Sequence, residues 1–296
     1  MIAMRQHLPP QGEARDDYAI FSALADKLDF AAQFTEVHSA RGWLEKIYQD
    51  SRPRAAEDGI QLPDFEEFWA QGKLEYAAPD VPQILLKAFR DDPEAAPLST
   101  PSGKIELFSA AVAAFGYREA PGHAYWHTDE QNAQQALGQR WPLHLLSTRR
   151  RTRLHSQYDH GSVSQQNKIN AREPLWMHPQ DVAARGIGER NIVKVFNDRG
   201  ALLAGVHLTE DIRPGVVQIS TGAWYDPLNA HENRSLDKHG NPNVLTTDIG
   251  SSRLGQGSTA QTCFVEIVRF NEPLPEVTAW LPPTFVLWTS ETTPEP

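Results

Sequence analysis

The hydrophobic period of this chain changes once, near Trp141, and that change limits its architecture more than any other feature. Before it, apolar residues recur at helical spacing: Phe21, Leu24, Ala25 and Leu28, then Trp43, Leu44, Ile47 and Tyr48, then Phe65, Phe68 and Trp69. A further helix is predicted from Glu106 to Gly116, with Leu107, Phe108, Ala111, Val112 and Phe115 on its apolar side and Gly116 as its stop. These stretches are predicted to be packing faces. The connectors Ser51 to Asp58, Ala77 to Pro82 and Asp91 to Gly103 carry turn chemistry and are predicted to be loops. So much loop between short helices is unusual for a free-standing domain and implies another surface for it to lie on.

After Trp141 the pattern is that of strands: Trp141 to Ser147, Ile192 to Asn197, Ala201 to Leu208, Gly215 to Ser220 and Cys263 to Phe270. Asn197-Asp198-Arg199-Gly200 marks a hairpin, and His178-Pro179-Gln180-Asp181 opens a short helix, Asp181 to Arg185, closed by Gly186. The expected fold class is mixed α+β: a β-barrel or sandwich over 141–296, preceded by a loop- and helix-rich segment over 1–140.

Composition narrows the function. The chain is acidic, with a net charge of −10, and residues 1–140 hold 13 Lys/Arg against 22 Asp/Glu while 141–296 hold 15 against 16. Nucleic acid is therefore not an expected partner. No apolar run approaches a membrane span, and residues 1–17 lack the regions of a secretory signal, so the chain as encoded is expected to be cytoplasmic. The single cysteine, Cys263, excludes an intrachain disulfide and any thiolate-rich metal site built from this chain. The 11 histidines show no metal-ligand spacing, and nucleophile-elbow, P-loop and Rossmann motifs are missing. No catalytic or metal-ligating residue is predicted.

Three stretches have the chemistry of a ligand site. Leu146-Ser147-Thr148-Arg149-Arg150-Arg151-Thr152-Arg153-Leu154-His155-Ser156-Gln157 follows a strand and offers hydroxyls, guanidiniums, an imidazole and an amide. Guanidinium forks suit diphosphate oxygens. Within it and just after, Arg149, Arg150, Arg151, Arg153, Lys168 and Arg172 face only Asp159 as a local acid, so this cluster can be an anion site or a solvated basic loop. Gly222-Ala223-Trp224-Tyr225-Asp226-Pro227 can wall a flat ligand, and it is followed by His239-Gly240-Asn241-Pro242-Asn243-Val244-Leu245-Thr246, in which Asn243 offers a donor and an acceptor while Asn241 suits a turn. The glycine- and serine-rich run from Asp248 to Gln261 can form an anion nest or a plain loop. Tyr158-Asp159-His160 has no obvious partner and is predicted to be structural or at the surface.

With these motifs on the page, the chain resembles the C-terminal part of the DMSO reductase family of molybdenum enzymes, in particular the biotin sulfoxide, trimethylamine N-oxide and DMSO reductase subgroup. The resemblance rests on Arg153 to Gln157, Trp176 to Asn191, Gly222 to Pro227 and Gly240 to Thr246, in the family order, and on Gly12 to Tyr18, Leu62 to Phe65, Phe89 to Pro93 and Thr100 to Glu106 upstream. It implies a double-psi β-barrel over 141–296, binding molybdenum bis(molybdopterin guanine dinucleotide), and over 1–140 the remnant of the preceding α/β domain. The implied cofactor contacts are Ser147, Thr148, Arg149, His155, Ser156 and Gln157, then His239, Gly240, Asn243, Gln256 and Ser258. The implied reaction is oxygen-atom transfer from an S-oxide or N-oxide substrate, with metal sulfur supplied by the cofactor and the molybdenum-ligating serine in an N-terminal portion outside this sequence. That portion, as a separate chain, is an expected partner, and a twin-arginine signal on it would make the protein periplasmic. The alternative expectations are a non-catalytic cofactor-binding fragment and a generic nucleotide-binding barrel.

Overall fold

The computed structural model describes residues 1–77, 82–128 and 136–282, so most of the Ala77 to Pro82 connector lies outside the described residues. The chain forms two compact units, 1–104 and 105–296.

In the first unit, α1 (Asp17–Lys27) starts where the Asp16 carboxylate accepts from Ala19 N, and α2 (Ala31–Thr35) follows closely. The long helix α3 (Ala40–Glu57) is capped by Ser39 and packs on α4 (Phe65–Gln71), which Gly72 ends in the left-handed region. Tyr48 is the centre of that contact, stacked on Phe68 at 5.1 Å and edge-on to Phe65 at 5.5 Å. A short α5 (Lys87–Asp91) completes the unit. Two expectations change here. Ser51 to Asp58 is helical, not loop, with Pro53 inside α3. Arg52 donates to Asp64 and to Leu62 O, and Ala55 packs against the Tyr48 cluster, so contacts on both sides of Pro53 offset the amide it lacks. The apolar stripe of α1 is not a packed face: Ala25 is buried, but Phe21, Leu24 and Leu28 are at least half exposed, at 53%, 52% and 60%.

In the second unit, helix α6 (Ala110–Ala113) is all that forms of the predicted Glu106 to Gly116 helix. The Ser109 hydroxyl caps it from within that span, accepting from Val112 N, so the chain before it, with Leu107 exposed, is not helical.

Six strands then close into a barrel: β1 (Leu143–Thr148), β2 (Pro174–Met177), β3 (Ile192–Phe196), β4 (Ala201–Leu208), β5 (Val216–Ser220) and β6 (Cys263–Arg269). Their order around the barrel is β1-β5-β2-β4-β3-β6, with β6 antiparallel to β1 completing the circle. Alternation fills the interior with Leu143, Leu145, Leu175, Met177, Val193, Val195, Val217, Ile219, Val265 and Ile267, all fully or almost fully buried. Strand β2 is the one barrel strand missing from the sequence prediction, being four residues long and opening on a proline, which a strand tolerates at its first position; the short helices α2 and α5 and that over Ser162–Gln165 were not predicted either. Helix α7 (Ser162–Gln165) lies between β1 and β2, and α8 (Pro179–Ala183), capped by His178, starts two residues earlier than predicted. Among the described residues no helix is long and apolar enough to cross a membrane.

One register positions the site. Strands β1 and β5 are parallel, His144 opposite Val216 through Thr148 opposite Ser220, so the segments leaving both strands emerge at the same rim.

Candidate cofactor-binding rim

Those two segments are the first two motifs, and they are knitted together. Thr221 N donates to Thr148 O at 2.9 Å, Arg153 Nη2 to Thr221 O at 2.8 Å and Arg153 Nε to His155 O at 3.1 Å. The Trp224 indole donates to Ser156 O at 2.8 Å. Gly222, at φ +97°, lies against the His155 carbonyl so closely that a β-carbon there would overlap it. This close approach is why a glycine opens the Gly222 to Pro227 motif.

Beneath the rim sits a buried charge network. Arg153 and Lys168 share the carboxylates of Asp159 and Glu173, with Arg153 Nη1 at 3.3 and 3.1 Å and Lys168 Nζ at 2.9 and 2.5 Å. Burial alone would push the Asp159 carboxyl up, but the Lys168 hydrogen bond and the charges of Lys168, His239 and Arg153 bring it below its usual range. Burial, and then the Lys168 charge, hold His239 below the ordinary histidine value, hence neutral. The sequence expectation of six cations facing Asp159 alone is thereby corrected. Glu173, adjacent to Arg172 in the chain, is the second counter-ion, and Arg172 spends its guanidinium on the carbonyls of Asn170 and Pro275. Arg153, Lys168 and Arg172 are scaffold cations; Tyr158 and His160 are exposed while Asp159 between them is structural, as expected.

Arg149, Arg150 and Arg151 remain. They line a cavity of about 410 Å³ whose other walls include Trp176, His207, Gln218, Ser220 and Arg190. Of these, Trp176, His207, Gln218 and Ser220 are outward-facing positions of β2, β4 and β5, so the cavity lies on the barrel wall at the same rim. Arg150 is mostly buried and reaches Glu173 at 3.7 Å, while Arg149 and Arg151 are exposed. Guanidiniums over an indole and an imidazole match a phosphate-bearing ligand with a flat ring.

The predicted contact residues separate into two groups. His155, Ser156, Gln157, Arg149 and Asn243 are exposed, and no hydrogen bond of the described residues uses the side chains of His155, Ser156 or Gln157. His155 is at φ +50°, a strained conformation for a non-glycine. These groups are free to bind. Ser147 is buried, with both its backbone N–H and C=O taken by the Gln261 side-chain amide, and Thr148 is half-buried in β1. His239 and Gly240 are buried: Gly240, at φ +104°, backs onto Glu173, whose Cβ a β-carbon would meet at 2.8 Å. Asp237, its carboxyl pushed up by burial, accepts the amides of Asp226, Gly240 and Asn241, and Asn241 caps Asn243 N in the expected turn role. Gln256 and Ser258 are exposed, but their loop satisfies itself: Ser251 N donates to Gly257 O, Gly257 N to the Ser251 hydroxyl and the Gln256 amide to Ser252 O. Sequence reasoning missed Glu173 and Trp280, whose indole donates to Asp159 at 3.2 Å, and it took Gln261 only as the end of the glycine- and serine-rich run, not as the partner of the Ser147 backbone. Among the described residues no group of three or more His, Cys, Asp or Glu is placed to hold a metal.

A closed barrel that presents unpaired polar side chains, arginines and an aromatic wall beside the ends of a parallel strand pair has the chemistry of a binding domain for a phosphate-bearing ligand with flat rings. Residues 143–264 match the family described as the Molydopterin dinucleotide binding domain. Over 284 residues, 95% of the chain, it is 44% identical to the trimethylamine-N-oxide reductase of Salmonella typhimurium, covering 33% of that protein. It is 38% identical to the dimethyl sulfoxide/trimethylamine N-oxide reductase of Rhodobacter capsulatus over 96% of the chain and 34% of that protein. Acetylene hydratase from Pelobacter acetylenicus shares the fold, with a TM-score of 0.61 at 20% identity over 90% of the chain and 34% of the hydratase. The chain is similar to the C-terminal part of DMSO reductase family enzymes and spans about a third of the length of these relatives.

Proposed function

We propose that the rim of the barrel holds molybdenum bis(molybdopterin guanine dinucleotide) and that the chain serves as the C-terminal cofactor-binding part of an S-oxide or N-oxide reductase. The observation that carries this is the set of exposed, unpaired His155, Ser156 and Gln157 side chains, fixed by Arg153 and Gly222 beside an arginine-lined cavity, within the stretch matched by the family. When bound, the group supplies oxygen-atom transfer from the substrate. The chain's own part is to bind and orient it. Arg149 and Arg151 neutralise phosphate oxygens, Trp176 and Trp224 wall flat rings, and His155, Ser156, Gln157 and Asn243 offer donors and acceptors to ring edges. In this reading Ser147, Thr148, His239 and Gly240 contribute through backbone placement, while Gln256 and Ser258 contribute from the later loop.

Residues 1–140 are the end of the preceding α/β domain, which agrees with the exposed apolar stripe of α1. The rest of that domain and the molybdenum-ligating serine come from sequence outside this chain, carried on a separate polypeptide or on the same one, and a twin-arginine signal there would direct the protein to the periplasm.

The test is co-expression of the chain with the preceding two-thirds of a relative such as the Salmonella trimethylamine-N-oxide reductase. Molybdenum and guanine should be released together on denaturation, and a dye donor should support reduction of trimethylamine N-oxide, DMSO, methionine sulfoxide or biotin sulfoxide. The substrate reduced fastest names the specificity. A folded complex with neither molybdenum nor guanine overturns the reading.

A further inference from the structure

The first motif and both parts of the second are joined by one line of hydrogen bonds that begins on a buried ammonium. Lys168 Nζ lies 2.9 Å from Asp159 Oδ1, 2.5 Å from Glu173 Oε1 and 2.9 Å from His239 Nε2. An ammonium has donors and no acceptor, so His239 Nε2 accepts and the imidazole proton resides on Nδ1. That Nδ1–H faces Trp224 O at 2.8 Å. The Trp224 indole in turn donates to Ser156 O at 2.8 Å, and the Trp224 amide donates to Asp159 Oδ2, on the carboxylate that Lys168 already holds. The opposite tautomer would set N–H against N–H at Lys168 and leave Trp224 O without its donor. An imidazolium would add a second cation beside the ammonium in a fully buried site.

We propose that Lys168 and His239 are positioning residues: Lys168 selects the Nδ1–H tautomer of a neutral His239, which through Trp224 fixes the backbone carrying His155, Ser156 and Gln157. His239 is fully buried, so its effect on a ligand passes through Trp224 and not through its own contact. Arg153 ties the same loop to Thr221 and, through Glu173, whose N–H donates to His239 O, to the His239 backbone; the Lys168 line is the one that runs through the His239 imidazole and Trp224. The proposal rests on the cofactor reading for what the loop receives, and its test is made without ligand, so that the two fail separately.

The experiment uses the full chain labelled with ¹⁵N-histidine, the His239 signals being assigned by their loss in His239→Asn. Nδ1 should be protonated and Nε2 unprotonated at neutral pH; an Nε2–H tautomer or an imidazolium overturns the proposal. Hydrogen exchange by mass spectrometry gives the second readout. In Lys168→Met and in Trp224→Phe, exchange over 153–161 should rise about tenfold, the scale of one lost hydrogen bond, with 192–208 unchanged. Unchanged loop exchange overturns the proposal, as does equal acceleration in the strands, which would make these residues ordinary packing. If Lys168→Met does not fold, Trp224→Phe carries the exchange test alone, because it removes one indole donor and no buried charge.

Discussion

Replacing Gly222 by alanine should detach the rim loop from the barrel, and the cost can be worked from its surroundings. Gly222 has φ +97°, where a β-carbon costs about 1–2 kcal/mol. The new atom would overlap the His155 carbonyl oxygen and stand 3.0 Å from Ser156 N, both backbone atoms that no rotamer change can move aside. The loop must therefore shift, giving up the Arg153 Nε bond to His155 O and the Trp224 bond to Ser156 O. Those are worth about 1.5 and 1 kcal/mol. The sum, about 4 kcal/mol, is a large share of the roughly 5–15 kcal/mol that holds a domain folded. Gly215→Ala is the control. It has a similar φ of +80° with nothing within 4 Å of a β-carbon, so it bears the conformational cost alone. Urea unfolding followed by tryptophan fluorescence should separate the two variants by about 2–3 kcal/mol. Equal destabilisation of the two, with unchanged exchange over 153–158, would refute the close approach as the reason for the glycine.

Gly205→Ala should cost about 1–3 kcal/mol because its β-carbon overlaps Ile169, and adding Ile169→Ala should recover part of that loss; strictly additive values in a urea double-mutant cycle would contradict the contact. Cys263 is buried, and burial pushes its thiol up to about 11, so iodoacetamide at pH 8 should label it only in denaturant; rapid labelling of folded protein would place it elsewhere. The sign follows for stability. Below about pH 9 both folded and unfolded thiols keep their proton, and between about 9 and 11 only the folded one does, so this group favours unfolding as pH rises through that window.

Much of the barrel was legible because its strands alternate. Leu143, Leu145, Val193, Val195, Val217, Ile219, Val265 and Ile267 each sit two residues from the next buried one, which marks β1, β3, β5 and β6, whereas β4, buried without a break from Leu202 to Val206, was legible as an apolar run bounded by turn residues. Strand β2 was not, because four residues beginning with Pro174 are too few to show a period. The helical errors have the same origin in local evidence. Pro53 marked a break that contacts 10 and 12 residues away override, through Arg52 with Leu62 and Asp64. The stripe of α1 is equally regular in sequence, yet Phe21 and Leu24 are exposed, since periodicity reports which face is apolar and not whether anything covers it.

The site divides along a different line. All three motifs were found from residue type alone, but type could not assign roles within them. Arg153 and Arg149 are the same residue four positions apart; one has its guanidinium bound to Asp159, Glu173 and two carbonyls, and the other is exposed at a cavity. His155 and His239 differ likewise, one unpaired at the rim and the other bonded through both nitrogens. What separates them is whether a partner exists across the fold, which for His239 means Lys168, 71 residues away. A polar side chain already satisfied inside the protein gains nothing from a ligand, whereas one left unpaired at a rigid rim has its hydrogen-bonding capacity in reserve. On the proposed reading, binding chemistry falls first to Arg149, His155, Ser156, Gln157 and Asn243, with Gln256 and Ser258 adding to it from the later loop, and the buried members of the same motifs hold them in place.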